Sequence, residues 1–188
     1  MRFSFHRGSL ALDFAGTVGQ RASPRPEERL PDPAALAAWL REAGLPAPVR
    51  LGADELASAR SLREALYRLG VQALEGRPPD RAALRRLNAA ARGVVHGSLR
   101  RDGRGKPTWS TDDALRFSLG RIAEDGIVQL SAGRERLTRC ELPGCGALLL
   151  SRSRSERRRW CSMETCGNRA KVAAFRARKQ RRAARRQP

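Results

Sequence analysis

Four cysteines fall within 27 residues of this chain, at Cys140, Cys145, Cys161 and Cys166. They form two C-x4-C pairs with 15 residues between them. Sulfurs spaced in this way can converge on one tetrahedral ion, because each pair makes a tight knuckle and the loop brings the knuckles together. The first knuckle, "CELPGCG", contains the Pro and Gly that a tight turn needs to face both sulfurs inward. Cysteines serving as apolar filler would have no reason to cluster in regular pairs. Disulfides belong to an exporting context that nothing here suggests. An iron–sulfur cluster also takes four thiolates, but a symmetric double knuckle in so basic a setting favours zinc. His6 and His96 are the only histidines, and both lie far away in sequence. The expected ligands are therefore the four cysteines, holding one structural Zn²⁺. A closed four-thiolate site leaves no open position for water, and such sites stabilise zinc-finger peptides by roughly 10–16 kcal/mol.

Basic residues crowd the same region. The chain of 188 residues has a formal net charge of +19, and 35 of its 38 basic residues are arginine. Residues 139–188 hold 15 Lys+Arg against 3 Asp+Glu, whereas residues 1–138 hold 23 against 16. A GC-rich genome explains Arg over Lys but not base over acid. The excess favours an anionic partner, nucleic acid ahead of a membrane surface. Four thiolates and one Zn²⁺ carry a local charge of −2, so Arg158, Arg159 and Arg169 have two open readings: neutralising the metal site or touching a ligand.

The elements that must position the cysteines follow from caps and periodicity. The stretch "GSLALDFAGT" fits a strand through Leu10, Leu12 and Phe14 or a helix through Leu10, Phe14 and Val18. Residues 20–31 read as a loop from their three prolines. Asp32-Pro33 starts a helix carrying Leu36, Trp39, Leu40 and Ala43. A longer helix is predicted from about Asp54 to Glu75, with Leu56, Ala59, Leu62, Leu66, Leu69 and Ala73 on one face. Asp80 caps a third helix bearing Leu84, Leu87 and Ala91, closed by Gly93. Val94, Val95 and Leu99, then Thr108 and Trp109, flank "RDGRG" and predict a β-hairpin. Thr111, Asp112 and Asp113 begin a fourth helix through Leu115, Leu119, Ile122, Ala123, Ile127 and Leu130. In the cysteine segment, "ALLL" can return as a strand against Leu137–Cys140. Ser162 caps a final helix, with Cys161 just before it and Cys166 in its early turns. The fold class expected is α+β: a mainly helical N-terminal domain with a small β-hairpin, then a four-cysteine zinc ribbon ending in a basic helix.

No apolar run approaches the roughly 18–20 residues of a membrane span. The basic opening of the chain is interrupted by Asp13 and is followed by no cleavage pattern, so a signal peptide is rejected and a reducing, cytoplasmic location is expected.

The stretches "RCELPGCG" and "RRWCSMETCGNRAKV" resemble the CGNR-type zinc finger, whose naming tetrapeptide is here Cys166-Gly167-Asn168-Arg169. Proteins of that family usually carry an N-terminal ABATE domain opening with a motif similar to "LDFVNT", and this chain has "LDFAGT" from Leu12 to Thr17. The resemblance implies a bacterial, stress-responsive transcription regulator, with the finger binding DNA and the first domain sensing an unidentified small ligand. Asp13 and Thr17 are the ligand-contact candidates, although a capped turn explains them equally well. Leu149 and Ser151 depart from the family's usual Phe and Asp, and Gly16 stands where an Asn is usual. The implied organisation is an ABATE-like domain over 1–136, a finger over 137–180 and a disordered basic tail over 181–188.

From Ser162 onward, Ala170, Ala173, Ala174 and Ala177 favour helix. Met163, Ala170 and Ala174, with Val172 and Phe175, are expected to pack on the ribbon. Arg169, Lys171, Arg176, Arg178 and Lys179 project as the nucleic-acid contacts, the earliest nearest to bases and the later ones on phosphate. Asn168 either reads adenine or ties the knuckle's backbone together, and the adjacent Gly167 favours the second. The leading function is a zinc-dependent DNA-binding regulator. RNA binding and a zinc-held protein-interaction module are the rivals. An enzyme is not expected, since no phosphate loop, nucleophile motif or carboxylate constellation is present.

Overall fold

Why the cysteine segment sits where it does is answered by the first domain, which builds its floor. The computed structural model describes residues 3–93, 98–101, 107–110, 113–151 and 157–184. Helix α1, Leu10–Ala15, resolves the ambiguity of "GSLALDFAGT" in favour of helix. Its free amides explain the outcome: Ser9 Oγ accepts from Leu12 N, and Asp125 Oδ2, from a distant helix, accepts from Ala11 N at 2.7 Å. Helix α2, Pro33–Glu42, has Asp32 as its cap, as its sequence predicts. Helix α3, Ala53–Leu74, starts where Glu55 accepts from Gly52 N at 2.9 Å. Helix α4, Arg81–Arg92, is capped by Asp80 and ends at Gly93.

Two short antiparallel pairs are added. Strands β1, Val18–Gly19, and β2, Glu27–Glu28, pair across the start of the segment 20–31 read from sequence as loop, and β2 lies inside it. Strands β3, Ser98–Arg101, and β4, Pro107–Ser110, form the expected hairpin with Leu99 opposite Trp109. Val94, Val95, the "DGRG" that follows Arg101, Thr111 and Asp112 lie outside the described residues. Helix α5, Ala114–Ser131, begins at Asp113 and runs through Gly126 without a break. That glycine is a close approach: a Cβ there would sit 2.4 Å from Leu66 Cδ2 of α3.

The main core is aliphatic around one aromatic centre. Trp39 is fully buried between Phe14 and Phe5, with ring centroids at 4.9 and 5.6 Å, and Leu36, Leu40, Leu62 and Ile122 close around it. A second cluster joins the domain to the ribbon. Strands β5, Leu137–Arg139, and β6, Leu148–Leu150, pair as the sequence predicts, with Leu137 opposite Leu150. Leu137, Leu148 and Leu150 pack on Leu12 of α1 and on Tyr67, Val71 and Leu74 of α3. Gly70 permits that contact, since a Cβ there would meet Leu148 Cδ1 at 2.5 Å. The last helix, α6, is Asn168–Ala184.

A charged network that the sequence does not announce locks β2 to α3. Arg63, 3% exposed, donates to both carboxylate oxygens of Glu28 at 2.6 and 2.7 Å, to Glu64 at 2.9 Å and to Thr17 Oγ1 at 3.3 Å. Burial works to raise the Glu28 and Glu64 carboxyls, but hydrogen bonds from Arg63 and Arg21 bring both below the ordinary carboxylate range. Their stabilisation is thus present above that range and lost as the pH falls through the folded-state values. Asp13 acts in the opposite sense, because burial outweighs Arg7 and raises its carboxyl. Replacing Arg63 with Ala leaves Glu28 without its bidentate partner. It is expected to cost about 1–3 kcal/mol in urea unfolding at neutral pH, and the difference from the parent protein should narrow as the solution is acidified towards pH 3.

Candidate metal centre and basic helix

The first knuckle is shaped by backbone. Cys140 N donates to Ala147 O at 2.8 Å and Cys145 N to Leu142 O at 3.0 Å. Gly144 and Gly146 take φ of 80° and 67°, a left-handed region that other residues rarely adopt. The carbonyls on the outer side of the turn are held by the first domain. Arg21 N donates to Cys145 O, Ala22 N to Gly144 O, and Tyr67 Oη to Gly146 O at 2.9 Å. Arg21 reaches further: its guanidinium lies 4.2 Å over the Tyr67 ring and pairs with Glu64 at 2.7 Å.

The second knuckle opens with a wide turn. Ser162 Oγ accepts from Thr165 N at 3.3 Å, and Gly167 N donates to Ser162 O at 2.9 Å, an i→i−5 bond that makes residues Met163–Gly167 a π-helical turn. Helix α6 continues from it. Gly167 lies close beneath its neighbours: a Cβ would stand 2.8 Å from Sδ of the flexible, exposed Met163 and 3.3 Å from Trp160 Cδ1. Asn168 Nδ2 donates to Glu164 O at 3.1 Å, which gives that amide the backbone-tying role.

These turns bring the four sulfurs within 4.8 Å of one another. Cys145–Cys161 is 3.8 Å, Cys145–Cys166 3.7 Å and Cys161–Cys166 3.2 Å. Zinc–sulfur bonds of about 2.3 Å in a tetrahedron require edges of about 3.8 Å, so the donor set fits one zinc. The chemistry agrees. Hydrogen bonds from Cys145 and then Cys161 hold the Cys140 thiolate, pulling it down to about 2. The same sharing pushes Cys145 up and Cys161 up to about 12, while burial raises Cys166 to about 11. Four thiols at this distance cannot ionise together without a cation, and a zinc ion supplies it. Cys140 and Cys166 are buried, whereas Cys145 and Cys161 are half-buried. Around the sulfurs, Leu149 is fully covered and packs with Ala147, Leu142 and Trp160. Ser151 is 1% exposed; its hydroxyl accepts from Arg158 N, and its carbonyl from Arg136 Nε.

The neighbouring arginines separate in role. Arg158 donates to the carbonyls of His6 and Cys161, bridging the start of the chain to the second knuckle. Arg159 pairs with Glu141 at 2.7 Å and lies 5.0 Å from the Trp160 ring. Arg169, Lys171, Arg176, Arg178 and Lys179 are all exposed and make no side-chain hydrogen bond or ion pair among the described residues. The expected packing of α6 on the ribbon is corrected. Ala170 is half-buried, but Ala174 is exposed, and Met163, Val172 and Phe175 are 54, 49 and 62% exposed. The ribbon's leucines are instead packed on α1, α3 and the sulfur cluster.

Asp13 and Thr17 are buried and turned to internal work. Asp13 accepts from Arg7 N at 2.9 Å, and Thr17 Oγ1 donates to Phe14 O at 2.8 Å. Gly16 has a reason as well, since a Cβ there would fall 2.1 Å from Cζ of the buried Arg7. A cleft of about 830 Å³ runs between the chain start and the finger, lined by residues that include Phe3, Phe5, Arg29, Cys145, Cys161 and Arg169. Asp13 and Thr17 stand outside its lining. Neither this cleft nor the docking of the knuckle carries a signal in the sequence, because both arise from contacts between distant, ordinary residues.

Two family models match the chain in order. Residues 8–133 match ABATE, described as "Putative stress-induced transcription regulator", and residues 136–179 match the CGNR zinc finger. No curated protein matches the chain. Purified protein is expected to contain about one zinc per chain by elemental analysis. Cys166→Ser should lose it, and acidification should release it, because protons compete for the sulfurs. Since Leu137, Leu148 and Leu150 are shared with α1 and α3, chelation should also lower the melting temperature of the whole chain.

Proposed function

This chain belongs to the ABATE family and ends in a CGNR zinc finger, and from that premise we propose that it is a regulator whose finger binds duplex DNA. The observation that carries the reading is the state of α6: every residue from Lys171 to Arg181 is exposed, and the cations over that stretch make no side-chain hydrogen bond or ion pair among the described residues. The zinc knuckle fixes where that helix starts and in which direction it leaves. A helix of this kind suits a major groove, with its first turns nearest to bases and its later arginines on phosphate. RNA is the rival anion. An A-form major groove is too deep and narrow for a helix to read, and the finger presents no set of aromatic platforms for single strands.

The sensing half of the function is assigned to the cleft between the chain start and the finger. Asp13 acts behind it by holding Arg7, whose carbonyl accepts from Leu150 N of the ribbon. Thr17, hydrogen-bonded to Arg63, steadies the same region from α3. A small molecule seated there would touch both halves of the protein at once.

The test is a titration of the zinc-loaded chain against duplex DNA, RNA and an acidic peptide at several salt concentrations. If about six residues meet phosphate, log K should fall with log salt at a slope near −5. Arg176→Ala with Arg178→Ala should weaken binding and reduce the slope by about two, with zinc content unchanged. Equal affinity for every polyanion would refute specific duplex recognition.

A further inference from the structure

Helix α6 exposes the two largest apolar side chains of its length in the midst of its cations: Val172 is 49% and Phe175 62% exposed. Their placement has a pattern. At 3.6 residues per turn, Asn168, Val172, Phe175 and Lys179 fall along one stripe. Arg169 and Arg176 run along one side of it, and Lys171 and Arg178 along the other. The helix therefore presents an apolar centre between two cationic rows. Asn168, the polar side chain best placed to read a base at the head of the stripe, has its amide donating to Glu164 O.

We propose that Val172 and Phe175 are the base-reading residues of the finger, and that they read thymine through its C5 methyl group in the major groove. This rests on the duplex-binding reading above. The groove has the complementary layout: phosphate rows on both sides, about 12 Å apart, and a floor of base edges. A helix with its side chains is about 10–12 Å across, so both cationic rows reach phosphate when the stripe faces inward. The thymine methyl is the one apolar group that a standard base offers on that floor. Elsewhere on the floor, Val172 and Phe175 would cover donors and acceptors without satisfying them, which is unfavourable. The same stripe thus attracts A·T steps and disfavours G·C steps with no side-chain hydrogen bond to any base.

The experiment uses the full zinc-loaded chain and three short duplexes: alternating dA-dT, the same sequence with deoxyuridine for thymidine, and alternating dG-dC. Removing the methyl groups should weaken binding about fourfold for each methyl that the helix covers. Val172→Ala and Phe175→Ala should bring the thymidine-to-deoxyuridine ratio towards one while leaving zinc content and the salt slope as they were. Phe175→Leu, which keeps an apolar contact, should retain most of the preference. Equal affinity of the parent protein for the thymidine and deoxyuridine duplexes overturns the inference. So does a methyl preference that survives in both alanine variants, which would place the reading elsewhere and leave the apolar stripe to some other partner. Duplex binding without methyl preference removes this inference alone, whereas failure to bind any duplex removes the DNA-binding reading with it.

Discussion

The convergence of four sulfurs on one ion is the constraint from which the last third of the chain takes its form. A ribbon of three-residue strands is too short to hold itself in water. A helix whose exposed length packs on nothing is marginal by propensity alone. The metal ties both to one point. Because the outward carbonyls of Gly144, Cys145 and Gly146 are engaged by Ala22, Arg21 and Tyr67, the order that the ion imposes is passed to the first domain. The finger is a wall of the molecule, with its inner face shared.

Charge is divided by location. Several arginines of the first domain are engaged internally: Arg7 beneath Gly16, Arg63 on Glu28 and Glu64, and Arg60 on the Leu30 carbonyl. Arg169, Arg176, Arg178 and Arg181 of α6 make no side-chain hydrogen bond or ion pair among the described residues. The excess of base over acid is densest in the last quarter of the chain, where 15 Lys+Arg face 3 Asp+Glu. Burying Arg63 is tolerable only because two carboxylates and a hydroxyl surround it.

Much of this was legible in the residues. Asp32, Asp80 and Ser162 marked helix starts because capping is a local hydrogen bond that sequence spacing records. The cysteine spacing exposed the metal centre for the same reason. What escaped was long-range. The β1–β2 pair has two residues in each strand and depends on Arg63, 35 positions from Glu28, which no local pattern announces. The docking of the ribbon rests on a missing Cβ at Gly70 and a hydroxyl at Tyr67. Val172 and Phe175 do not pack on the ribbon as their apolarity suggests, because apolarity predicts burial only where a surface is there to be covered. The departures at Leu149 and Ser151 proved compatible with the site, one filling the space beside the sulfurs and the other holding Arg136 and Arg158.

The wide turn over Met163–Gly167 sets more than the position of Cys166. An α-helix advances its side chains by about 100° per residue, so the i→i−5 closure at Gly167 fixes the rotational phase of everything after it. Zinc determines where the helix begins, and this turn determines which way its faces look. A family member with one residue more or fewer in that turn could keep its metal and its basic composition yet present a different side to the same partner. In this architecture, insertion or deletion at a single point would turn the exposed face of the last helix without changing the amino acids on it.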